Sequence, residues 1–415
     1  MRILVLHRIT NKLIRYELGI DHALHDVIYV GAADRLETLP PELPCTRLAR
    51  PDTGDIAEEV LALVEGMPKP DMVIAMSEFD IIAAAQIRAA LDVPGDREAD
   101  VLPYRNKVLM KAEVAKAGLL APGFLSLAEA FELAPGAGPW SGPTVLKPLD
   151  GAASANVQVF ATLDEALEAV RGDGLPDGGD LAGYEVEQYV QGPIIHADGL
   201  VVDGAPVALR ISRYVGTCLG YAEGSPVGSV QIEPTEELVT WTLDCLAALG
   251  IRTSLFHLEG IETDEGPVFL EVGARFGGAD VVDTFELATG LHMPSRFLQM
   301  ITGSADGSAD VRPDDPAARY GWFVWPGHLL GSEFCSVTGE QPYRDSPLVW
   351  RWVQRREDEP VKLTVSYSDT DVPLAGIVGP GPTDVLDAFL RDLFASVVVT
   401  PLTPEETAHA PVQHG

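Results

Sequence analysis

Residues 256–275 read Phe-His-Leu-Glu-Gly-Ile-Glu-Thr-Asp-Glu-Gly-Pro-Val-Phe-Leu-Glu-Val-Gly-Ala-Arg, two strand-forming runs broken by Asp264-Glu265-Gly266. Apolar and β-branched residues on either side of an Asp/Gly turn predict an antiparallel hairpin. Glu259 and Glu271 differ by 12, and their midpoint, position 265, lies inside the turn. A hairpin centred there sets the two carboxylates opposite each other on one face. Period-two alternation predicts Arg275 on that face if the strand continues, with Leu258, Leu270 and Val272 on the other. Two facing glutamates repel unless a cation lies between them, and a hard divalent ion such as Mg²⁺ takes such oxygens. The plainer alternative pairs one of them with Arg275 and leaves the other in water.

Upstream lie residues suited to phosphate. Lys107 opens a helix over 105–117, which Gly118 stops. Lys147 ends the apolar strand 144–147, just before the small-residue loop Gly151-Ala152-Ala153-Ser154-Ala155-Asn156. Such a loop lets backbone N–H groups approach a phosphate closely, and lysine adds a point charge. The segment Tyr184-Glu185-Val186-Glu187-Gln188-Tyr189-Val190-Gln191-Gly192-Pro193 runs from a strand into a turn. It can offer backbone groups to an adenine while an acidic side chain takes an amino or ribose contact; an ordinary half-exposed strand is an equal reading. GxxxxGK[ST], HExxH, GxSxG and a complete GxGxxG are all absent.

The first hundred residues alternate short apolar strands (3–6, 27–30, 71–76) with helical stretches (56–64, 81–91), which predicts a parallel sheet covered on both faces. Ligands of such sheets sit beyond the strand C-termini, so Glu78 is a substrate-site candidate, or else a carboxylate favoured at a helix N-terminus. From residue 184 the chain turns β-rich, with Asp203-Gly204 as a hairpin turn and one helix over 236–249. Residues 304–317 read as a linker, a helix is expected over 385–395, and the last dozen residues read as a disordered tail. The net charge of −33, from 29 basic and 62 acidic residues, repels nucleic acid and anionic membranes. A nucleotide-using chain this acidic must gather its cations locally. Four scattered cysteines without CxxC suit a reducing cytosol. No window approaches the ~20 apolar residues of a membrane span. The expected location is cytoplasmic.

Taken in order, these elements resemble the ATP-grasp superfamily over roughly residues 70–300. The resemblance is carried by Asn106-Lys107 with Met110-Lys111, by Val145-Leu146-Lys147-Pro148 and its loop, and by Glu187-Gln188-Tyr189-Val190-Gln191-Gly192. It is most specific in His257-Leu258-Glu259 and Leu270-Glu271-Val272-Gly273-Ala274-Arg275-Phe276-Gly277-Gly278. The last form resembles the amino-acid ligase and biotin-carboxylase-like branch. The resemblance implies Lys107 and Lys147 on ATP phosphates, with Lys147 also near adenine, and Ser154 in a loop that closes over them. It implies Glu187, Tyr189 and Val190 around the base and ribose, and Glu259 and Glu271 on Mg²⁺, with Mn²⁺ as a substitute. Arg275 would bind an acyl-phosphate. Gly273 stands where many relatives carry Asn, which leaves the third metal ligand open. Ile194-Ile195 replace an acidic residue of relatives, which makes His196 or Asp198 the ribose candidates. Glu78, Arg213, Gly277 and Gly278 are the substrate-site candidates.

The implied fold is an N-terminal α/β domain over 1–103 and a two-lobed α+β ATP-grasp unit over 104–303, divided near 190. A small α+β segment over 304–415 follows. The implied activity is ADP-forming ligation of a small-molecule carboxylate to an amine, with an amino acid as one substrate and neither nucleic acid nor membrane as partner. A homodimer is compatible with it. The rivals are a biotin-carboxylase-like carboxylase and a nucleotide-binding protein without catalysis.

Overall fold

The computed structural model describes residues 1–151, 154–176, 178–305 and 310–403. Four strands, β1 (Arg2–Leu6), β2 (Asp26–Gly31), β3 (Thr46–Ala49) and β4 (Met72–Ala75), form an all-parallel sheet in the order β3-β2-β1-β4. Their alternation sorts two faces. Leu4, Leu6, Ile28, Val30 and Val73 pack with the helices Ile56–Leu63 and Ile81–Ala90. Ile3, Val5, Val27, Tyr29 and Ile74 face the other way, into a core shared with Phe285, Met293 and Leu298. Both faces are covered, as the βαβ pattern requires. The second cover comes from far along the chain, from the helices Val281–Thr289 and Met293–Ile301.

The next unit is a four-stranded antiparallel sheet built from β5 (Phe124–Ser126), β6 (Thr144–Pro148), β7 (Gln158–Phe160) and β8 (Tyr184–Gln188), ordered β5-β8-β6-β7. Leu146, Tyr184 and Val186 turn inward against the helices Leu127–Phe131 and Leu163–Asp173. Period two then commits Lys147, Glu185 and Glu187 to the opposite face. Lys147 lies across from Glu185 in the β6–β8 register.

The large lobe is built on one antiparallel sheet of eight strands. These are β9 (Ile194–Val202), β10 (Ala205–Val215), β11 (Val227–Ile232), β12 (Ser254–Thr263), β13 (Gly266–Gly273), β14 (Arg319–Val324), β16 (Val349–Gln354) and β17 (Leu374–Gly381), in the order β13-β12-β9-β10-β11-β14-β17-β16. Strands β15 (Cys335–Thr338) and β18 (Val398–Pro401) pair separately. The segment after residue 303 thus supplies three strands to the large lobe's own sheet, so position 303 does not separate two layers. The helix Thr383–Ser396 covers this end through Leu386, Leu390 and Leu393. Part of the expected linker (306–309) and the expected tail (404–415) lie outside the described residues. No helix among the described residues is long and apolar enough to cross a membrane.

Candidate functional site

The hairpin forms, and Glu259 lies opposite Glu271. The pairing is reached by a different route from the symmetric one. The turn is two residues long, with Thr263 across from Gly266, and this register continues to Gly260 across from Phe269. Continued further, it would set Glu259 opposite Leu270 and leave Glu271 on the wrong face. A β-bulge between Glu259 and Gly260 inserts one extra residue on β13 and re-aims Glu271. Leu270 consequently lines the cleft beside Glu271 instead of joining Leu258 and Val272 in the core, which corrects its expected orientation. Gly260 is needed at the bulge because a Cβ there would come 2.4 Å from the Trp241 ring.

The helix Lys107–Lys116 packs beneath this hairpin. Met110 and Val114 join Leu258, Phe269 and Val272 in one core, and Asn106 caps the first turn through the N–H groups of Val108 and Leu109. That docking carries Lys107 to the mouth of the hairpin. Its Nζ lies 3.0 Å from Glu271 Oε2 and donates to Gly151 O at 2.8 Å. Across the cleft, Lys147 Nζ lies 2.7 Å from Glu187 Oε1 and 3.7 Å from Glu185 Oε1. Lys107, Lys147, Ser154, Glu187, Tyr189, Val190, Glu259 and Glu271 all line one cleft between the two lobes, together with Ile194, Cys218 and Ile261. Ala152 and Ala153 of the small-residue loop lie outside the described residues; Ser154 takes φ +54°.

Strand β13 ends at Gly273, so Arg275 is not carried by strand alternation. A loop brings it in. Its Nε donates to Glu78 Oε1 at 2.8 Å and its Nη1 to Phe276 O. Glu78 also binds Arg105, at 3.2 Å, so it serves as a half-buried anchor between two guanidiniums. Burial opposes the charge on Arg275, but Glu78, Glu271 and Glu259 outweigh it and raise its pKa. The same balance holds for Glu271: burial works against ionisation, yet Lys107 and Lys147 keep its pKa well below the usual range. Two carboxylates facing one space, with Lys107 against Glu271 and Lys147 across the cleft, fit a hard divalent ion.

A second, larger cleft of about 1070 Å³ is walled by the end of β1, by the loop from Phe276 and the first turn of the helix Val281–Thr289, and by residues 367–371. Gly277 and Gly278 line it. Arg8 binds the buried Asp80 through two nitrogens, and Arg351 reaches Asp283 at 2.6 Å and also Asp280. None of these five was singled out from sequence.

Four expected residues line neither cleft: Glu78 and Arg275, held against each other, and Arg213 and His196. Arg213 points away from both clefts and pairs with Glu262 at 2.6 Å, because β10 presents Tyr214, not Arg213, to the site. Tyr214 donates to Glu259 Oε1 at 2.6 Å. His196 is buried beside β12, with both ring nitrogens bonded, to Asp198 at 2.5 Å and Ser229 at 2.7 Å, and does not reach the cleft. It belongs instead to a buried chain in which Asp198 also binds His257 Nδ1 at 2.8 Å and His257 Nε2 lies 3.3 Å from Glu259. Gly277 packs flat on this chain, where a Cβ would fall 2.7 Å from Asp198 and 2.9 Å from His257. The i,i+2 spacing of His257 and Glu259 on one strand was the readable signal for it.

Burial lowers the His257 pKa, but Asp198 and Glu259 reverse this and raise it to about 9. A histidine raised above its ordinary 6.5 contributes stability that is complete below 6.5 and lost as pH rises through about 9. The metal-free protein should therefore lose on the order of 3 kcal/mol between those limits. Thermal melts across that window check it, and Asp198→Asn should flatten the slope.

No family model matches the chain. Dapdiamide A synthase of Enterobacter agglomerans is 27% identical over 277 residues, 61% of this chain, and the chain spans 63% of that relative's length. The L-amino acid ligase of Bacillus licheniformis superposes with a TM-score of 0.70 over 97% of this chain and 98% of its own, at 20% identity. The biotin carboxylase domain of Hydrogenobacter thermophilus 2-oxoglutarate carboxylase, solved with MgADP and bicarbonate, covers 97% of this chain and 91% of its own, with a TM-score of 0.56 and 14% identity. The architecture is therefore an α/β domain followed by two lobes closing on a charged cleft. The chain has the ATP-grasp fold.

Proposed function

We propose that this chain is an ADP-forming carboxylate–amine ligase, making an amide or peptide bond with an amino acid as one substrate. The observation that carries the reading is the facing pair Glu259 and Glu271, with Lys107 and Lys147 lining the same cleft and Arg275 near enough to feel the charge of both carboxylates. Lys107 and Lys147 would bind the phosphates of ATP, and Glu187, Tyr189 and Val190 would seat the base and ribose. Glu259 and Glu271 would hold Mg²⁺ or Mn²⁺, which when bound supplies charge neutralisation between phosphate oxygens.

In the reaction a substrate carboxylate oxygen attacks the γ-phosphorus and ADP leaves. Arg275, oriented by Glu78, faces the resulting acyl-phosphate from the substrate side. The amine then attacks the acyl carbon and phosphate departs. Catalysis of this kind is chiefly positioning and charge stabilisation, which suits a site made of fixed cations. The larger cleft, lined by Gly277 and Gly278, is the natural seat for the amine substrate. A bicarbonate-using carboxylase is the second reading, favoured by the likeness to the biotin carboxylase domain.

A panel of paired amino acids and small carboxylates, followed by ADP release, tests the reading. ADP formed only when both a carboxylate and an amine are present supports it; ADP formed only with bicarbonate and biotin supports the rival. Lys147→Ala should weaken a non-hydrolysable ATP analogue by about 10- to 100-fold, since a charged hydrogen bond is worth roughly 1.5–3 kcal/mol. An unchanged dissociation constant would leave Lys147 a structural lysine only.

A further inference from the structure

We infer that Lys111 and Glu185, which do not line the cleft, are positioning residues of the nucleotide site that set the charge and aim of Lys147 and Glu187 from behind. The inference rests on the nucleotide reading above and deepens it.

Its basis is a closed group of four charges. Lys111 is 0% exposed, one helical turn beyond Lys107, and its Nζ lies 2.5 Å from Glu185 Oε1 and 2.7 Å from Glu187 Oε2. Lys147 contacts the same two carboxylates from the cleft side. Glu185 and Glu187, two apart on β8, share the face that looks at both lysines. The group forms two layers. Lys147 and Glu187 line the cleft, while Lys111 and Glu185 lie wholly behind it. An ammonium this deeply buried is costly unless paired, and both carboxylates that pair with it come from β8, across from its own helix.

Charge counting gives the pair its role. With all four groups ionised the cluster is neutral. Without Lys111, two buried carboxylates would compete for Lys147, hold it against β8 and present a net negative charge to incoming phosphates. Without Glu185 alone, two lysines would compete for Glu187. Burial works against the charge on Glu187, but Lys111 and Lys147 together keep its pKa low, so it accepts hydrogen bonds and does not donate. That is the state an amino group or ribose hydroxyl requires of it.

The test uses the full chain and ADP as the probe, titrated by calorimetry, alongside thermal melts. Lys111→Met should weaken ADP by about tenfold or more, as expected when one partner of a buried charge group is removed. Lys111→Met combined with Glu185→Gln restores neutrality and should bring the affinity back to within about threefold of the wild type, with the melting midpoint above that of Lys111→Met. A side chain that merely fills space would show no such rescue, because the second change removes a further contact. Wild-type affinity in Lys111→Met, or a double variant no tighter than the single, overturns the inference. If Lys111→Met does not fold, the double variant carries the test: folded and ADP-binding supports it, unfolded overturns it. A wild-type protein that binds no nucleotide sinks the ligase reading instead. The charge balance is then decided by the melts, where a double variant no more stable than Lys111→Met ends it.

Discussion

Glu271→Gln should reduce turnover by at least about 10²-fold while the protein keeps its fold and its grip on nucleotide. The expected size is that of losing one fixed charge aimed at a developing phosphoryl transition state, roughly 3–4 kcal/mol. The amide keeps the volume and one acceptor oxygen of the carboxylate, so Leu270 and the bulge need not move. Lys107 loses a counter-ion at 3.0 Å but keeps Gly151 O, which limits the cost to folding. Affinity for ADP without metal should hold or rise slightly, because Lys107 is released toward the phosphates. The Mg²⁺ concentration giving half-maximal rate should increase. Near-wild-type turnover, or an unchanged metal requirement, would return Glu271 to a simple partner of Lys107.

The route by which Glu271 reaches that position bears on what the sequence could convey. The pair was legible from its spacing, since any hairpin closing near residue 265 brings positions 259 and 271 close. The bulge was not legible. A two-residue turn and a three-residue turn fit Thr263 to Pro267 equally well on paper, and the choice depends on how Gly260 packs against Trp241 in another element. Leu270 was misassigned for the same reason: one inserted residue flips every side chain beyond it. The parallel sheet and the strand-end place of Lys147 followed from local pattern, and the two-lobed unit from the resemblance. The cover of the first sheet by Phe285, Met293 and Leu298 depended on contacts across some 280 residues, beyond the range of local periodicity. Lys111 and Glu185 were within reach, because Lys107 and Lys111 share a helical face and Glu185 and Glu187 share a strand face. His196 was a ribose candidate because Ile194-Ile195 stand where relatives carry an acidic residue; its burial against Asp198, which itself binds His257 59 residues away, could not be read from local pattern.

Arg275→Ala should abolish amide formation and leave ATP binding nearly intact. In the proposed reaction the nucleotide phosphates would face Lys107 and Lys147, which line the cleft, whereas Arg275 is held outside that lining by Glu78. Glu78 keeps Arg105 in the variant, so no carboxylate is left without a partner. Lysine at 275 should not fully rescue, because the guanidinium fork contacts a carboxylate and a second oxygen at once and an ammonium does not. The chemistry itself is read with a carboxylate substrate labelled with ¹⁸O. If the carboxylate attacks the γ-phosphorus, the bridging oxygen of the acyl-phosphate comes from the substrate. When the amine displaces phosphate, the C–O bond breaks and that oxygen leaves with phosphorus. The released phosphate should therefore carry one label per amide formed, and the nucleotide product should be ADP. Release of AMP and pyrophosphate would mean an acyl-adenylate instead. Unlabelled phosphate would mean that ATP is hydrolysed by water in a step uncoupled from the carboxylate, and Arg275 would then lose its assigned role. Labelled phosphate from the wild type, with none above background from Arg275→Ala at saturating ATP, places the arginine at the acyl-phosphate and not at the nucleotide.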